Sequence, residues 1–312
     1  MDVVLHLGAH LCATTTFQDY MWCNSTRFKR DALQVWGPRR TRAGMFWGVL
    51  PGADGRPSAD AVHRGVGRIR MNLAQCEAAG TTRLIVSDAA IMGSLRANLR
   101  MGDLYCGLGE RLARLAPAFD GYKIALALNI RALDAYWAAA LSQAITRGAG
   151  LPSAAMLARL AANRRGWRDV IEEVACALPG ADLIVLPYET FGGRPEAQLE
   201  ALTGEPAPRT HARGWLNATP RMAELRAWLP PAEAALLPPG NERWQPFSAS
   251  QAAALREVYA DDLMWITGGA GGLARLAEDP DRKRASGLPP SSLELTRGRR
   301  DDEEIGRLAG AG

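Results

Sequence analysis

Four short apolar runs, residues 3–7, 83–87, 123–128 and 182–187, are rich in Val, Ile or Leu and lack polar alternation. Runs of this kind predict parallel strands buried under helices on both faces. Segments with helical patterning lie between them. Residues 15–28 follow the first strand, 108–116 precede the third, 133–146 follow it, and 167–178 lead into the fourth. Val170, Ile171, Val174 and Leu178 recur at helical spacing, and Leu255, Val258, Tyr259 and Leu263 mark a further helix over 249–266. The alternation predicts an α/β fold: a three-layer, doubly wound parallel sheet with helices on both faces.

Other stretches are less patterned. Residues 35–57, rich in Gly, Pro and Arg, predict an irregular excursion over the site, and prolines break 206–246. Residues 1–278 read as a single domain in which 206–278 is poorly assigned and mostly helical. Beyond Glu278 the composition shifts to Pro, Ser, Arg and paired acids, which predicts a flexible tail over 279–312.

Composition narrows the classes. A chain of 312 residues can bury the core of one large α/β domain. Its net charge of +4 suits a site for small anions better than a nucleic-acid surface. Five scattered cysteines without a CxxC pair indicate neither a zinc site nor a disulfide framework. No apolar run approaches the roughly 18 residues of a membrane span, and the N-terminus lacks the basic and apolar regions of a signal peptide. The expectation is a cytoplasmic protein with no membrane, nucleic-acid or metal partner.

The most informative segment is the loop after the first strand: Gly8, Ala9, His10, Leu11, Cys12, Ala13, Thr14, Thr15 and Thr16. Small side chains let a backbone wrap an anion closely. The helix that follows supplies free N–H groups and a partial positive charge, and threonine hydroxyls add donors. The plainer alternative is a tight turn at Gly8-Ala9 with Thr14 capping the helix. The nucleoside-triphosphate loop GxxxxGK[ST] fits poorly, since Ala13 stands at its second glycine and Thr14 at its lysine.

This loop resembles that of bacterial sulfotransferase-like proteins, GxHKT[GA]TT, at Gly8, His10, Ala13, Thr14 and Thr15, with Gln18 in the following helix. The resemblance extends through 83–93, 130–144 and 167–203. It implies a P-loop-like sulfotransferase fold and a donor, 3′-phosphoadenosine 5′-phosphosulfate, whose 5′-phosphosulfate would lie on residues 8–16. It also implies an unidentified hydroxyl acceptor, and Arg131 at the strand end on the 3′-phosphate.

The chain departs from that pattern where the chemistry lies. Leu11 stands at the family's loop lysine and Cys12 at a usual hydroxyl. Ala89 stands at its strand-end glutamate, and Ala139 at the serine eight residues after Arg131. Removing one well-placed charge-stabilising donor costs about 10²–10³ in rate. His10 and Asp88 are the remaining candidate bases, with loop packing and turn capping as their plainer roles. Ser142 replaces Ala139 only if the helical register shifts. Glu189 reads as a cap for the 191–202 region, and the Arg39-Arg40-Thr41-Arg42 cluster reads as solvated loop. Two functions follow: a sulfotransferase of strongly reduced activity, or a non-catalytic nucleotide-binding protein that keeps the fold.

Overall fold

The computed structural model describes residues 1–51 and 55–286. Residues Met1–Ala277 form one compact unit, from which the residues after Ala277 are separate. Within that unit, six strands make a single sheet: β1 (Asp2–Gly8), β2 (Leu33–Trp36), β3 (Arg83–Ser87), β4 (Lys123–Ile130), β5 (Asp182–Pro187) and β6 (Arg275–Leu276). Their order is β2-β3-β1-β4-β5-β6 and every pairing is parallel.

Seven helices build most of the two flanking layers: α1 (Thr14–Cys23), α2 (Ala59–Ala78), α3 (Leu108–Leu115), α4 (Leu133–Ile145), α5 (Trp167–Ala177), α6 (Pro195–Thr203) and α7 (Ala249–Thr267). The pleat of β1 divides the core. Val3, Leu5 and Leu7 face a cluster supplied by α2, α3, α4, α5 and α7, while Val4 packs with Phe17, Tyr20 and Met21 of α1 and with α6. Each such buried side chain contributes about 1.5–3 kcal/mol.

His6, on the second face, is fully buried yet satisfied. Gln198 Nε2 donates to the Phe191 carbonyl, so its Oε1 accepts from Asn129 Nδ2, and Asn129 Oδ1 is left to accept from His6 Nε2 at 2.7 Å. Ser87 Oγ donates to His6 Nδ1 at 2.7 Å. The chain of bonds locks β1 to β3 and β4 directly beneath α1.

Several elements differ from the sequence expectations. The segment expected as one helix over 15–28 is broken at Asn24, whose amide donates to the carbonyls of Tyr20 and Thr210, both at 3.0 Å. The side chain competes for a helical carbonyl, and a separate short helix, Ser25–Arg30, follows. Residues 35–57 are not wholly irregular, because Val35 and Trp36 belong to the edge strand β2. The sequence reading placed no element at α2, which Ser58 caps through Ala61 N. Beyond Ala277, Pro280–Ser286 forms a short helix, in which Arg284 donates to Asp281 at 2.7 Å. The remainder of the expected tail, 287–312, lies outside the described residues. No described helix is long and apolar enough to cross a membrane.

Candidate functional site

The β1–α1 loop owes its shape to three residues with positive φ: Gly8 (84°), Leu11 (63°) and Ala13 (58°). At Gly8 a Cβ would add crowding to the strained φ, lying 3.1 Å from Thr14 Oγ1 and 3.3 Å from Ala89 Cβ. The ladder to β4 also shifts register between His6 and Gly8, where the chain leaves the sheet. Thr14 is not the helix cap. Its hydroxyl turns back to the Ala9 carbonyl at 2.7 Å, Ala13 is the N-cap residue, and no side chain caps the first turn of α1. That turn keeps its positive end for an external acceptor.

A cleft of about 510 Å³ opens over the loop, and Arg42, Arg96, Arg131, Arg147 and Arg243 all line it. Among the described residues no carboxylate does so. Arg131 follows β4 and is 5% exposed. Its Nη1 donates to the Leu11 carbonyl at 2.7 Å, its guanidinium lies 4.2 Å from the Tyr188 ring centroid, and its Nε has no partner. The backbone beneath is pinned by Trp167 Nε1, which donates to the Arg131 carbonyl at 2.7 Å. Glu189 has a different role from the expected cap of 191–202. Its Oε1 accepts from Ala132 N at 2.9 Å, at the start of α4, and its Oε2 accepts from Tyr259 OH at 2.7 Å. Among the described residues, the side chains of Arg96, Arg147 and Arg243 have no hydrogen bond or ion pair.

The protonation of His10 can be read from fixed backbone donors. Tyr105 N donates to Asn98 Oδ1, so Asn98 Nδ2 faces Tyr136 OH and donates to it at 2.9 Å. Tyr136 OH in turn donates to Tyr105 OH, which also accepts from His10 N. The Tyr105 proton is thereby left for His10 Nδ1, 3.0 Å away. His10 thus carries its proton on Nε2. Desolvation, with Arg42 and Arg147 adding to it against Asp88, lowers its pKa from 6.5 to about 4. In this state the ring is a neutral hydrogen-bond donor whose free electron pair is already taken.

Asp88 is equally committed. It is fully buried, accepts from Ala90 N at 3.0 Å as a turn cap, and accepts from Thr41 Oγ1 at 2.5 Å. Arg42 pairs with it at 2.6 Å. The arginine cluster at 39–42 is therefore held in place by specific contacts. Arg39 lies over Trp22, Arg40 over Trp36, and Arg42 reaches the cleft across Asp88.

Of the expected loop residues, His10, Leu11, Ala13, Thr14 and Thr15 line the cleft, whereas Gly8, Ala9, Cys12 and Thr16 do not. Cys12 faces the core, and burial pushes its thiol up to about 12. Ala139 faces an adjoining hollow of about 420 Å³ that Leu11 also lines. Ser142 is no substitute for it, because its hydroxyl is buried and bonded to the Ala138 carbonyl at 2.8 Å. The sequence reading missed residues 215–219, which wall the cleft and of which Asn217, Ala218 and Thr219 also wall the adjoining hollow. Leu216 N donates to Thr16 Oγ1 at 3.0 Å and Asn217 Nδ2 to Thr15 Oγ1 at 3.2 Å, which holds that segment over α1. The described residues contain no His, Cys, Asp or Glu cluster able to hold a metal ion. Comparison of the chain with models of protein families, with curated proteins and with solved structures finds no match in any of the three.

Proposed function

We propose that the cleft binds a small, multiply anionic nucleotide of the adenosine 3′,5′-bisphosphate type. On this reading the chain is a sulfotransferase-like protein of strongly reduced turnover. The observation that carries it is the convergence of five arginines, with no lining carboxylate among the described residues, on the uncapped N-terminus of α1. The loop-bearing strand lies in the middle of the sheet, where the chain's path reverses, and open α/β sheets bind ligands at the carboxyl ends of such strands. That placement suits the P-loop-like sulfotransferase fold which the motif resemblance implies. Arg131, buried and with an unpartnered Nε, suits a phosphate group.

In sulfuryl transfer from 3′-phosphoadenosine 5′-phosphosulfate, an acceptor hydroxyl oxygen forms a new S–O bond. The S–O bond to the donor's phosphate breaks, adenosine 3′,5′-bisphosphate leaves, and the hydroxyl proton must be taken up. The arginines and the first turn of α1 can hold the donor's charge, and His10 Nε2–H can donate to a developing oxyanion. Neither His10 Nδ1 nor Asp88 is free to take the proton. The same observation favours the second reading, a nucleotide-binding protein that does not turn over.

The test is thermal unfolding with adenosine 3′,5′-bisphosphate, with ATP as control. A ligand that binds the native state alone stabilises by about 2.7 kcal/mol at a hundredfold excess over Kd, a rise of several degrees. A rise with the bisphosphate and a smaller one with ATP supports the reading. No rise overturns it, and equal rises reduce it to a site for any polyanion.

A further inference from the structure

A second cavity, of about 780 Å³, lies between the helix Leu95–Met101, the end of α4 with the turn after it, and the helix Ala154–Ala162. Its volume is in the range of small-molecule sites, about 300–1,000 Å³. The floor is apolar, built from Leu95, Leu99, Ala144 and Met156. The rim is cationic, with Arg96, Arg100, Arg147 and Arg159 and no lining carboxylate among the described residues. Arg159 is tethered through Nη2 to the Leu99 carbonyl at 3.2 Å. The side chains of Arg96, Arg100 and Arg147 have no hydrogen bond or ion pair among the described residues. Leu95, Arg96 and Arg147 also line the anion cleft, so the two cavities share a wall.

Four like charges around an apolar floor set two demands on an occupant. It must bring negative charge to the rim, where a guanidinium can grip a carboxylate with two parallel hydrogen bonds. It must also cover the floor with apolar surface. A nucleotide phosphate meets only the first demand and a neutral hydrocarbon only the second. We infer that this cavity binds a small amphipathic carboxylate, its apolar body on Leu95, Leu99, Ala144 and Met156 and its acid group on the arginine rim. Resting on the reading of the cleft proposed above, this ligand is also the hydroxyl-bearing acceptor, which meets the donor across Arg96 and Arg147.

Calorimetric titration of the full chain, without nucleotide, tests the site. The probe is decanoate, with acetate supplying charge without a body and decan-1-ol a body without charge. Arg100→Glu and Ala149→Trp alter exposed rim positions that lie outside the anion cleft. Decanoate should bind, each variant should weaken it at least tenfold with the thermal midpoint unchanged, and acetate and decan-1-ol should bind at least tenfold more weakly. Absent binding, binding untouched by both variants, or equal binding of decan-1-ol overturns the inference. Decanoate titration decides the cavity even if the bisphosphate fails to bind and the nucleotide reading falls. The acceptor role is read separately, from bisphosphate titration with and without decanoate. Simultaneous binding supports it, and mutual exclusion overturns it.

Discussion

Gly8 joins two constraints that any other residue would violate together. A left-handed backbone costs an L residue about 1–2 kcal/mol, and an added Cβ would crowd Thr14 and Ala89. Gly8→Ala should therefore lower the urea-denaturation free energy by about 1–3 kcal/mol and abolish the stabilisation given by the bisphosphate. Leu11 poses the opposite case, since its side chain already lines the cleft with no polar contribution. Leu11→Lys should tighten bisphosphate binding about tenfold, as a charge-assisted hydrogen bond is worth roughly 1.5–3 kcal/mol, and calorimetry would read the change. The buried histidines govern acid sensitivity. Desolvation lowers both His6 and His10 from 6.5 to about 4. Between those values the unfolded chain takes up protons that the folded chain refuses. The stability they contribute is complete above about pH 6.5 and is lost as the pH falls towards 4, on the order of 3 kcal/mol for His6 and less for the partly exposed His10. Asp262 acts in the opposite sense, its burial raising it to about 6, so it offsets part of the loss. Thermal midpoints should fall from pH 7 to pH 4.5, and proton spectra should show His6 neutral until near pH 4.

Elements are joined here by single side chains at their ends. Glu189 links the short helix Tyr188–Phe191 to the start of α4 and to Tyr259 of α7. Glu189→Ala should cost about 1–3 kcal/mol, the value of a lost cap and a stranded buried hydroxyl, measurable by chemical denaturation. The four interior strands were legible in the sequence because burial on both faces leaves an unbroken apolar run. The edges were not. β6 has only two residues and β2 reads Leu-Gln-Val-Trp, too short and too mixed to stand out. Helix α2 escaped notice because Gly65 and Gly67 interrupt it. Gly65 is a packing requirement, since a Cβ there would lie 2.5 Å from Val49 Cγ2 and 2.8 Å from the Trp47 carbonyl oxygen. The loop stood out by its small and hydroxyl residues after an apolar strand, whereas Arg131 was singled out only through the family resemblance and by itself reads as a solvated arginine. Arg96, Arg147, Arg243 and the 215–219 wall were not legible, because distant segments bring them together and each alone reads as solvated surface.

For the molecule as a whole, five arginines on one cleft outweigh a net charge of only +4. Their attraction for an anion is long-range and open to screening, with a Debye length of about 10 Å at 0.1 M salt and 3 Å at 1 M. Bisphosphate affinity should fall at least tenfold between 0.05 M and 0.5 M salt, and Arg147→Ala should flatten that dependence. The strand order has a consequence in time. Asp2 pairs with Arg83 on one side and Lys123 on the other. At roughly 5–20 residues per second, a ribosome needs about 6–25 s between making β1 and making its second partner. During that interval an apolar ribbon with open hydrogen-bonding edges waits for company, the state in which nascent chains associate wrongly. The cleft's arginines at 131, 147 and 243 emerge later still. A ligand therefore arrives too late to guide the strand home, and its safe passage falls to whatever shields the newborn chain.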